Sequence, residues 1–172
     1  LAHLNGHKVG EDSEEIIDTH LKGADLELFI AGSKVYERDG YCMTCHQADG
    51  QGLEASGFPP LANSEWVTGS EERLIKLSLK GLMGPLEVNG VQYPGQVPMT
   101  PFERLLNDEE MAGVLTYVRN SFGNRAGIIS PEKVKEVRDK TKDKEGFYTA
   151  EFTESPTLPG LWSPLRKLTG PV

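Results

Sequence analysis

The sequence predicts an all-α, loop-rich domain with an arm at each end. Three observations support this fold class. Apolar residues recur with the 3.6-residue period of an α-helix in several separate segments. We find no pair of strand-like segments joined by a hairpin signal, and therefore predict no β-hairpin. The 172 residues include 19 glycines and 11 prolines, which indicates long shaped loops between the helices.

The first predicted helix begins at about Asp25 and ends before Gly40. Its apolar face shows the spacing i, i+3, i+4, i+7 and i+8. The residues on this face are Leu28, Ala31, Gly32, Val35 and Tyr36. The preceding residues are polar and include His3 and His7, which we interpret as part of a solvated N-terminal arm.

A short middle helix is predicted between the N-cap Ser70 and Gly81, and a longer helix between the N-cap Asn107 and Gly123. Glu110 follows Asn107 by three residues, which is the spacing of a capping box. The segments before both helices contain too much glycine and proline for long regular elements.

A last helix is predicted over about residues 131–142, because Ser130 is a candidate N-cap and Pro131 suits the first helical position. The tail from residue 143 contains four further prolines and is predicted to be an extended arm. The chain is thus divided into three parts. They are an N-terminal arm (1–23), a core domain (24–123) and a C-terminal extension (124–172).

The charge balance excludes a nucleic-acid partner. Lys and Arg number 18 against 26 Asp and Glu, a net charge of −8, whereas phosphate binding depends on clustered cations. No apolar run approaches the roughly 18 residues that a membrane helix needs, so no membrane span is predicted. The first ten residues lack the basic and apolar regions of a signal peptide, and we expect that any targeting segment is absent from this chain.

Residues 42–46 read Cys-Met-Thr-Cys-His, the pattern of covalent c-type haem attachment. Two thiols on one helical turn can bond the two vinyl groups of one porphyrin, and His46 then lies beneath the iron as a ligand. A structural zinc site would need further ligands, and a redox dithiol would need a strand before the motif. We therefore predict one haem c, attached through Cys42 and Cys45.

The second axial position on the iron distinguishes an electron carrier from a gas-binding or peroxidatic site. Met99 is the preferred ligand, because prolines on both sides stiffen its loop. Met83 is the alternative, and a histidine or an open position stays possible. Met43 lies inside the attachment motif, and Met111 lies on an apolar helix face where core packing explains it.

The order of these features resembles the class I cytochrome c family over about residues 24–123. Gly32 and Tyr36 match the glycine and the aromatic residue on the family's first helix, and Tyr117 matches the aromatic residue on its last helix. The resemblance implies the class I cytochrome c fold, in which the N- and C-terminal helices cross at close range around one covalent haem.

The resemblance also implies roles for residues around the haem. Pro60 is similar to the proline whose carbonyl accepts the Nδ1 proton of the proximal histidine, with Pro59 as the alternative register. Trp66, Arg73 and Tyr93 are candidate donors to the haem propionates, because buried carboxylates need hydrogen-bond donors.

Segments 58–66, 81–90 and 115–124 look like single-haem cytochromes that accompany, or are fused to, periplasmic dehydrogenases, often quinoproteins. The resemblance implies a non-enzymatic periplasmic carrier of single electrons from a dehydrogenase to a cytochrome or terminal oxidase. An acidic surface would favour a partner with a basic docking patch. Two alternatives stay open. They are the haem domain of a larger dehydrogenase with internal electron transfer, and a haem peroxidase or gas-binding protein with an open sixth position.

Overall fold

The computed structural model of the protein describes residues 19–153, which form seven helices and one short antiparallel hairpin. In chain order the elements are α1 (Ala24–Tyr36), α2 (Cys42–His46), α3 (Glu65–Thr68), α4 (Glu71–Lys80), β1 (Leu86–Val88), β2 (Val91–Tyr93), α5 (Asp108–Arg119), α6 (Pro131–Thr141) and α7 (Ala150–Thr153). A single 3₁₀ turn, Glu54–Ser56, lies in the described part of the chain after α2. Helices therefore dominate the fold, as predicted.

Helices α1 and α5 cross at two glycines. A Cβ placed on Gly32 would lie 1.9 Å from the carbonyl oxygen of Gly113, so only a glycine allows this approach. Beside the crossing, the rings of Phe29 and Tyr36 lie 5.1 and 5.3 Å from the ring of Tyr117, between centroids. The predicted contact between the first and last helices of the domain is present. Gly113 adds to it, and a glycine inside a helical pattern is the sequence signal for such an approach.

The predicted N-caps of α4, α5 and α6 are all present. The side chains of Ser70, Asn107 and Ser130 each accept a hydrogen bond from a backbone N–H in the first turn of their helix. Glu110 completes a capping box by accepting a hydrogen bond from the backbone N–H of Asn107 at 3.2 Å. These local signals therefore set the starts of three helices.

The prediction that α5 runs to Gly123 is wrong, because the helix ends at Arg119. The side-chain amides of Asn120 and Asn124 donate hydrogen bonds to carbonyls near the end of α5, at 2.9 and 2.8 Å. These bonds satisfy carbonyls that a continued helix would otherwise pair. The glycine instead lies in the loop that follows, with a positive φ.

The structure also corrects the prediction that no hairpin is present. Strands β1 and β2 pair with Val88 opposite Val91, across the turn Asn89-Gly90. Both turn residues have a positive φ, which an Asn-Gly pair adopts easily and which matches the twist of a hairpin. That pair was the available signal, since strands of three residues are too short to show an alternating pattern. The indole N–H of Trp66 donates to the carbonyl of Glu87 at 2.7 Å and joins the hairpin to α3.

The C-terminal extension is packed as far as the structure describes it. Helix α6 lies against α4 and α5, and its Val134 and Val137 are fully buried. Tyr148 is also buried, and its backbone pairs with residues 81–83. The predicted extended arm is therefore wrong around Tyr148, where the backbone is paired and the ring is buried, although residues 143, 145, 146 and 151 are exposed. The four prolines beyond them lie outside the described residues.

Buried side chains of α1, α4, α5 and α6 form one core, and α2 faces part of it across internal space. The predicted solvated residues His3 and His7 lie outside the described residues. Within residues 19–153, none of the helices has the length and apolar character needed to cross a membrane.

Candidate haem-binding site

The attachment motif forms the short helix α2, on which Cys42 and Cys45 are both partly buried. Their spacing of three residues places both thiols on one side of the helix, as attachment to a single porphyrin requires. The helix ends at His46, and the next residue, the C-cap Gln47, has a φ of 65°. The hydroxyl of Tyr36 donates to the carbonyl of Gln47 at 2.6 Å and joins the end of α2 to α1.

Burial raises the pKa of the Cys42 thiol to about 11 and also raises the pKa of Cys45. Both thiols are protonated at neutral pH, whereas reactive redox dithiols have a lowered pKa. A helix rather than a strand precedes the motif, so the redox-dithiol alternative finds no support. Among residues 19–153, no group of three or more His, Cys, Asp and Glu side chains could hold a metal ion, which leaves the zinc alternative without ligands there.

The proline contact is corrected by one residue. Nδ1 of His46 lies 2.9 Å from the carbonyl oxygen of Pro59, and not of the predicted Pro60. The backbone bridge between Leu53 and Phe58 closes the preceding loop and brings the next carbonyl onto the imidazole. Since a carbonyl only accepts, Nδ1 carries the proton and Nε2 keeps its lone pair. Burial lowers the pKa of His46 against the opposing effect of this bond, so the ring is neutral at pH 7 and able to bind iron.

Two adjoining cavities lie beside α2, with volumes of about 730 and 770 Å³ including space open to solvent. Both are lined by Cys42, His46, Leu82 and Met99. The first, here called the inner cavity, is lined by apolar side chains of α4, α5 and the hairpin. The second, here called the outer cavity, has the exposed Val97 in its lining. An imidazole nitrogen and a thioether sulfur therefore share an otherwise apolar space with the attachment thiols. This set of residues fits a flat apolar macrocycle that carries an iron ion.

The four methionines differ in their access to this space. Met99 is partly buried and lines both cavities, and its backbone N–H donates to the carbonyl of Leu82 at 2.9 Å. Met83 is 44% exposed and lines neither cavity, unlike Met99. Met111 is buried in the core, as expected, although its side chain also borders the inner cavity. Met43 packs against the core from α2.

The three predicted propionate donors differ in their position relative to the cavities and in whether their donor groups are free. Trp66 lines the inner cavity, but its only side-chain donor is already bonded to the hairpin carbonyl. The guanidinium of Arg73 stacks over the Trp66 ring at 4.5 Å and donates to the carbonyl of Glu65, while its Nε is buried without a partner. Tyr93 is buried on β2, and burial raises its pKa, but it lines neither cavity. Arg73 also lines neither cavity, but its Nε is a buried N–H that has no partner.

Comparison with protein families supports the assignment of a haem-binding site beside α2. A profile described as cytochrome c matches residues 29–122, more than half of the chain. The chain belongs to the cytochrome c family. The match begins within α1 and ends just after α5, so it includes the attachment helix, the hairpin and the Met99 segment.

Similar proteins are of two kinds. Cytochrome c-552 of Thermus thermophilus is 37% identical over 118 residues, which cover 63% of this chain and 85% of that protein. The cytochrome c subunit of the quinone alcohol dehydrogenase of Gluconobacter oxydans is 29% identical over 136 residues, covering 77% of this chain and 26% of that subunit. The fructose dehydrogenase cytochrome subunit of Gluconobacter japonicus is 31% identical over 109 residues, covering 62% of this chain and 22% of that subunit.

Family membership confirms the class I cytochrome c fold and the prediction of one covalent haem c. The chain contains only two cysteines, and both belong to the single attachment motif, so the protein is a monohaem cytochrome c held through Cys42 and Cys45. Proteins of this family serve electron transfer. This cytochrome is accordingly an electron-transfer protein, and no enzymatic activity follows from its family.

Proposed function

We propose that this cytochrome accepts single electrons from a quinone-dependent dehydrogenase and passes them to another cytochrome or a terminal oxidase, with His46 and Met99 as the axial iron ligands. The observation that carries the ligand assignment is that both side chains border the same two cavities beside the attachment thiols. A filled sixth position suits an electron carrier, whereas a peroxidase or gas-binding protein needs an open one.

When bound, the haem supplies a reversible Fe(III)/Fe(II) couple. The protein contributes orientation and environment. The carbonyl of Pro59 holds the imidazole of His46 in one orientation and raises its basicity as a ligand. The Met99 thioether and the apolar walls both favour the ferrous state and raise the reduction potential. Neither axial group moves a proton, so the transferred electron requires no coupled proton chemistry from these side chains.

The outer cavity provides the contact surface in this proposal. Its lining includes no Asp, Glu, Lys or Arg, and Val97 at its mouth is 56% exposed. A partner would therefore meet an uncharged apolar rim, while the net charge of −8 would steer a basic partner over longer distances. The expectation from the sequence was that an acidic surface favours a partner with a basic docking patch. In this proposal the acidic charge acts during the approach of the partner rather than at the point of contact.

The dehydrogenase partner is supported by the names of the similar cytochrome subunits, which belong to alcohol, fructose and gluconate dehydrogenases. We place the site of action outside the cytoplasmic membrane, in the periplasm, where cytochromes of this family work. A second candidate is a haem domain that works only within a larger dehydrogenase assembly. It is favoured by the small fraction of those subunits, 22–26%, that the chain covers.

Optical spectroscopy of the holoprotein tests the ligand assignment. The oxidised form should show a methionine-to-iron charge-transfer band at the long-wavelength end of the visible spectrum, next to the near-infrared. The reduced form should not bind carbon monoxide at neutral pH. Carbon monoxide binding by the native reduced protein, together with a missing band, would establish an open or weakly held sixth position and refute the carrier mechanism.

Stopped-flow mixing tests the donor. A quinone-dependent alcohol dehydrogenase, reduced by its substrate and stripped of its own cytochrome subunit, should reduce this cytochrome at a rate that is proportional to the cytochrome concentration and is lowered by salt. A purely internal role instead predicts no bimolecular reduction. It also predicts a stable complex that survives gel filtration.

A further inference from the structure

We propose that the C-terminal extension clamps the Met99 loop (residues 99–106) against the haem cavity, and that Arg138 is a positioning residue for the methionine ligand. The inference rests on the proposed ligation by Met99. The family match ends at residue 122, and Arg138 lies beyond it on α6. The clamp consists of two separate anchors, one made by backbone pairing and one by the Arg138 guanidinium.

The first anchor holds the start of the loop. The backbone N–H of Met99 donates to the carbonyl of Leu82 at 2.9 Å. Residues on both sides of Leu82 are in turn bonded to Tyr148, which donates to the carbonyl of Gly81 and accepts from the N–H of Met83, both at 2.9 Å. The extension therefore fixes the backbone segment to which the methionine is bonded.

This anchor is also closely packed. A Cβ on Gly81 would lie 2.5 Å from the Met99 carbonyl oxygen and 2.6 Å from the ring of Phe147. The Met99 carbonyl and the Phe147 ring thus both occupy the space where a side chain at residue 81 would stand. The absence of a side chain at Gly81 therefore lets the methionine loop and the extension approach the same backbone position.

The second anchor holds the end of the loop. The guanidinium of Arg138 donates to the carbonyls of Glu103 at 2.5 Å and Leu106 at 2.9 Å, and to the carboxylate of Asp108 at 2.7 Å. One planar side chain thus joins two loop carbonyls to the first residue of α5. Helix α6 presents this group from a rigid base, because its Val134 is fully buried in the core.

The remaining loop contacts lie between these anchors. The backbone N–H groups of Phe102 and Glu103 donate to carbonyls of α4 at 3.0 Å, and the Glu103 carboxylate pairs with the buried Lys80 at 2.6 Å. These bonds hold the middle of the loop to α4. Only the extension supplies the side-chain bonds that join Glu103 and Leu106 to the start of α5 within the described residues.

Displacement of the methionine by an external ligand requires the loop to open. The apparent affinity for that ligand is reduced by the fraction of molecules in the open state. A substitution that loosens an anchor increases the fraction of molecules with an open loop. The apparent affinity for the external ligand should rise by the same factor. A residue with a merely structural role changes global stability without changing this factor.

The experiment is a titration of the oxidised holoprotein with imidazole, in which loss of the methionine charge-transfer band reports binding. The stability of each variant is measured in parallel by guanidinium unfolding. Arg138→Ala should tighten imidazole binding roughly tenfold, since hydrogen bonds to charged groups contribute strongly and about 1.4 kcal/mol corresponds to tenfold. Lys135→Ala is the matched control, because it removes an exposed ion pair with Asp139 on the same helix. It should leave the imidazole affinity unchanged.

Two further variants keep the inference testable if Arg138→Ala does not fold. Arg138→Lys keeps the charge but cannot reach three acceptors at once, and it should show a smaller tightening in the same direction. Tyr148→Pro removes the N–H that bonds Gly81 and should tighten imidazole binding through the first anchor.

Equal imidazole affinities in the native protein and the Arg138 variants would overturn the clamp. It would also be overturned if Lys135→Ala tightened imidazole binding as much as Arg138→Ala does. These results differ from a failure of the proposed ligation. In that case the native protein itself would lack the charge-transfer band before any substitution is made.

Discussion

The crossing of α1 and α5 makes the substitution Gly32→Ala a sharp test of the packing. The added Cβ would lie 1.9 Å from the Gly113 carbonyl oxygen and 2.9 Å from the Val114 nitrogen. All of its nearest neighbours are backbone atoms, which cannot rotate away as the end of a side chain can. The helices would have to separate by about 1.5 Å to restore an ordinary contact of 3.4 Å.

The expected loss is about 3 kcal/mol in the free energy of unfolding. Overpacking a core typically costs about 1–3 kcal/mol. Separation of the helices also weakens the ring pairs of Phe29 and Tyr36 with Tyr117, each contributing about 0.5–1.5 kcal/mol. The higher helix propensity of alanine offsets about 1 kcal/mol of this loss.

The assay is guanidinium unfolding of the oxidised holoprotein followed by far-ultraviolet circular dichroism. The midpoint for Gly32→Ala should fall with an unchanged slope. Gly113→Ala should cost less, because its nearest contacts are 3.2–3.3 Å away, and Gly127→Ala should be nearly neutral with its nearest atom at 3.6 Å. A stability for Gly32→Ala equal to that of the native protein, or a larger loss for Gly113→Ala, would refute the argument.

Three other outcomes follow from the site and the helix caps. Met99→Ala should abolish the charge-transfer band of the oxidised protein and allow carbon monoxide to bind the reduced protein. Met83→Ala, at an exposed position, should keep the band and should not allow carbon monoxide to bind. Asn107→Ala should lower the free energy of unfolding by about 1 kcal/mol in urea titrations, because it removes the N-cap of α5. Hydrogen bonding to Arg38 lowers the pKa of Glu110, so its stabilising effect is present above the ordinary carboxyl pKa and is lost as pH falls through the lowered value. Urea titrations between pH 7 and 3 should therefore show a shallower acid loss for Glu110→Gln than for the native protein, and equal slopes would contradict this assignment.

The parts of the fold that the sequence predicted depend on local physics. Ser70 and Asn107 act within one helical turn of themselves, so the helix starts are readable from neighbouring residues alone. The attachment motif is equally local, because the thiols and the histidine lie within one short helix. The hairpin was missed although its Asn89-Gly90 turn was visible, because strands of three residues are too short to show an alternating pattern. The bond that joins the hairpin to α3 comes from Trp66, 21 residues before Glu87, and no local pattern indicates it.

The site divides in the same way. Cys42, Cys45 and His46, and with them the haem c cofactor and the family, were determined by the sequence alone, because covalent attachment requires fixed spacing along one chain. Only the tertiary structure decided that Pro59 rather than its neighbour bonds the imidazole, since that choice depends on how a loop closes. It also decided that the extension belongs to the core and reaches the Met99 loop. Contacts between residues that lie 32 and 35 positions apart in the sequence depend on the packing of whole helices, which no local pattern of residues records.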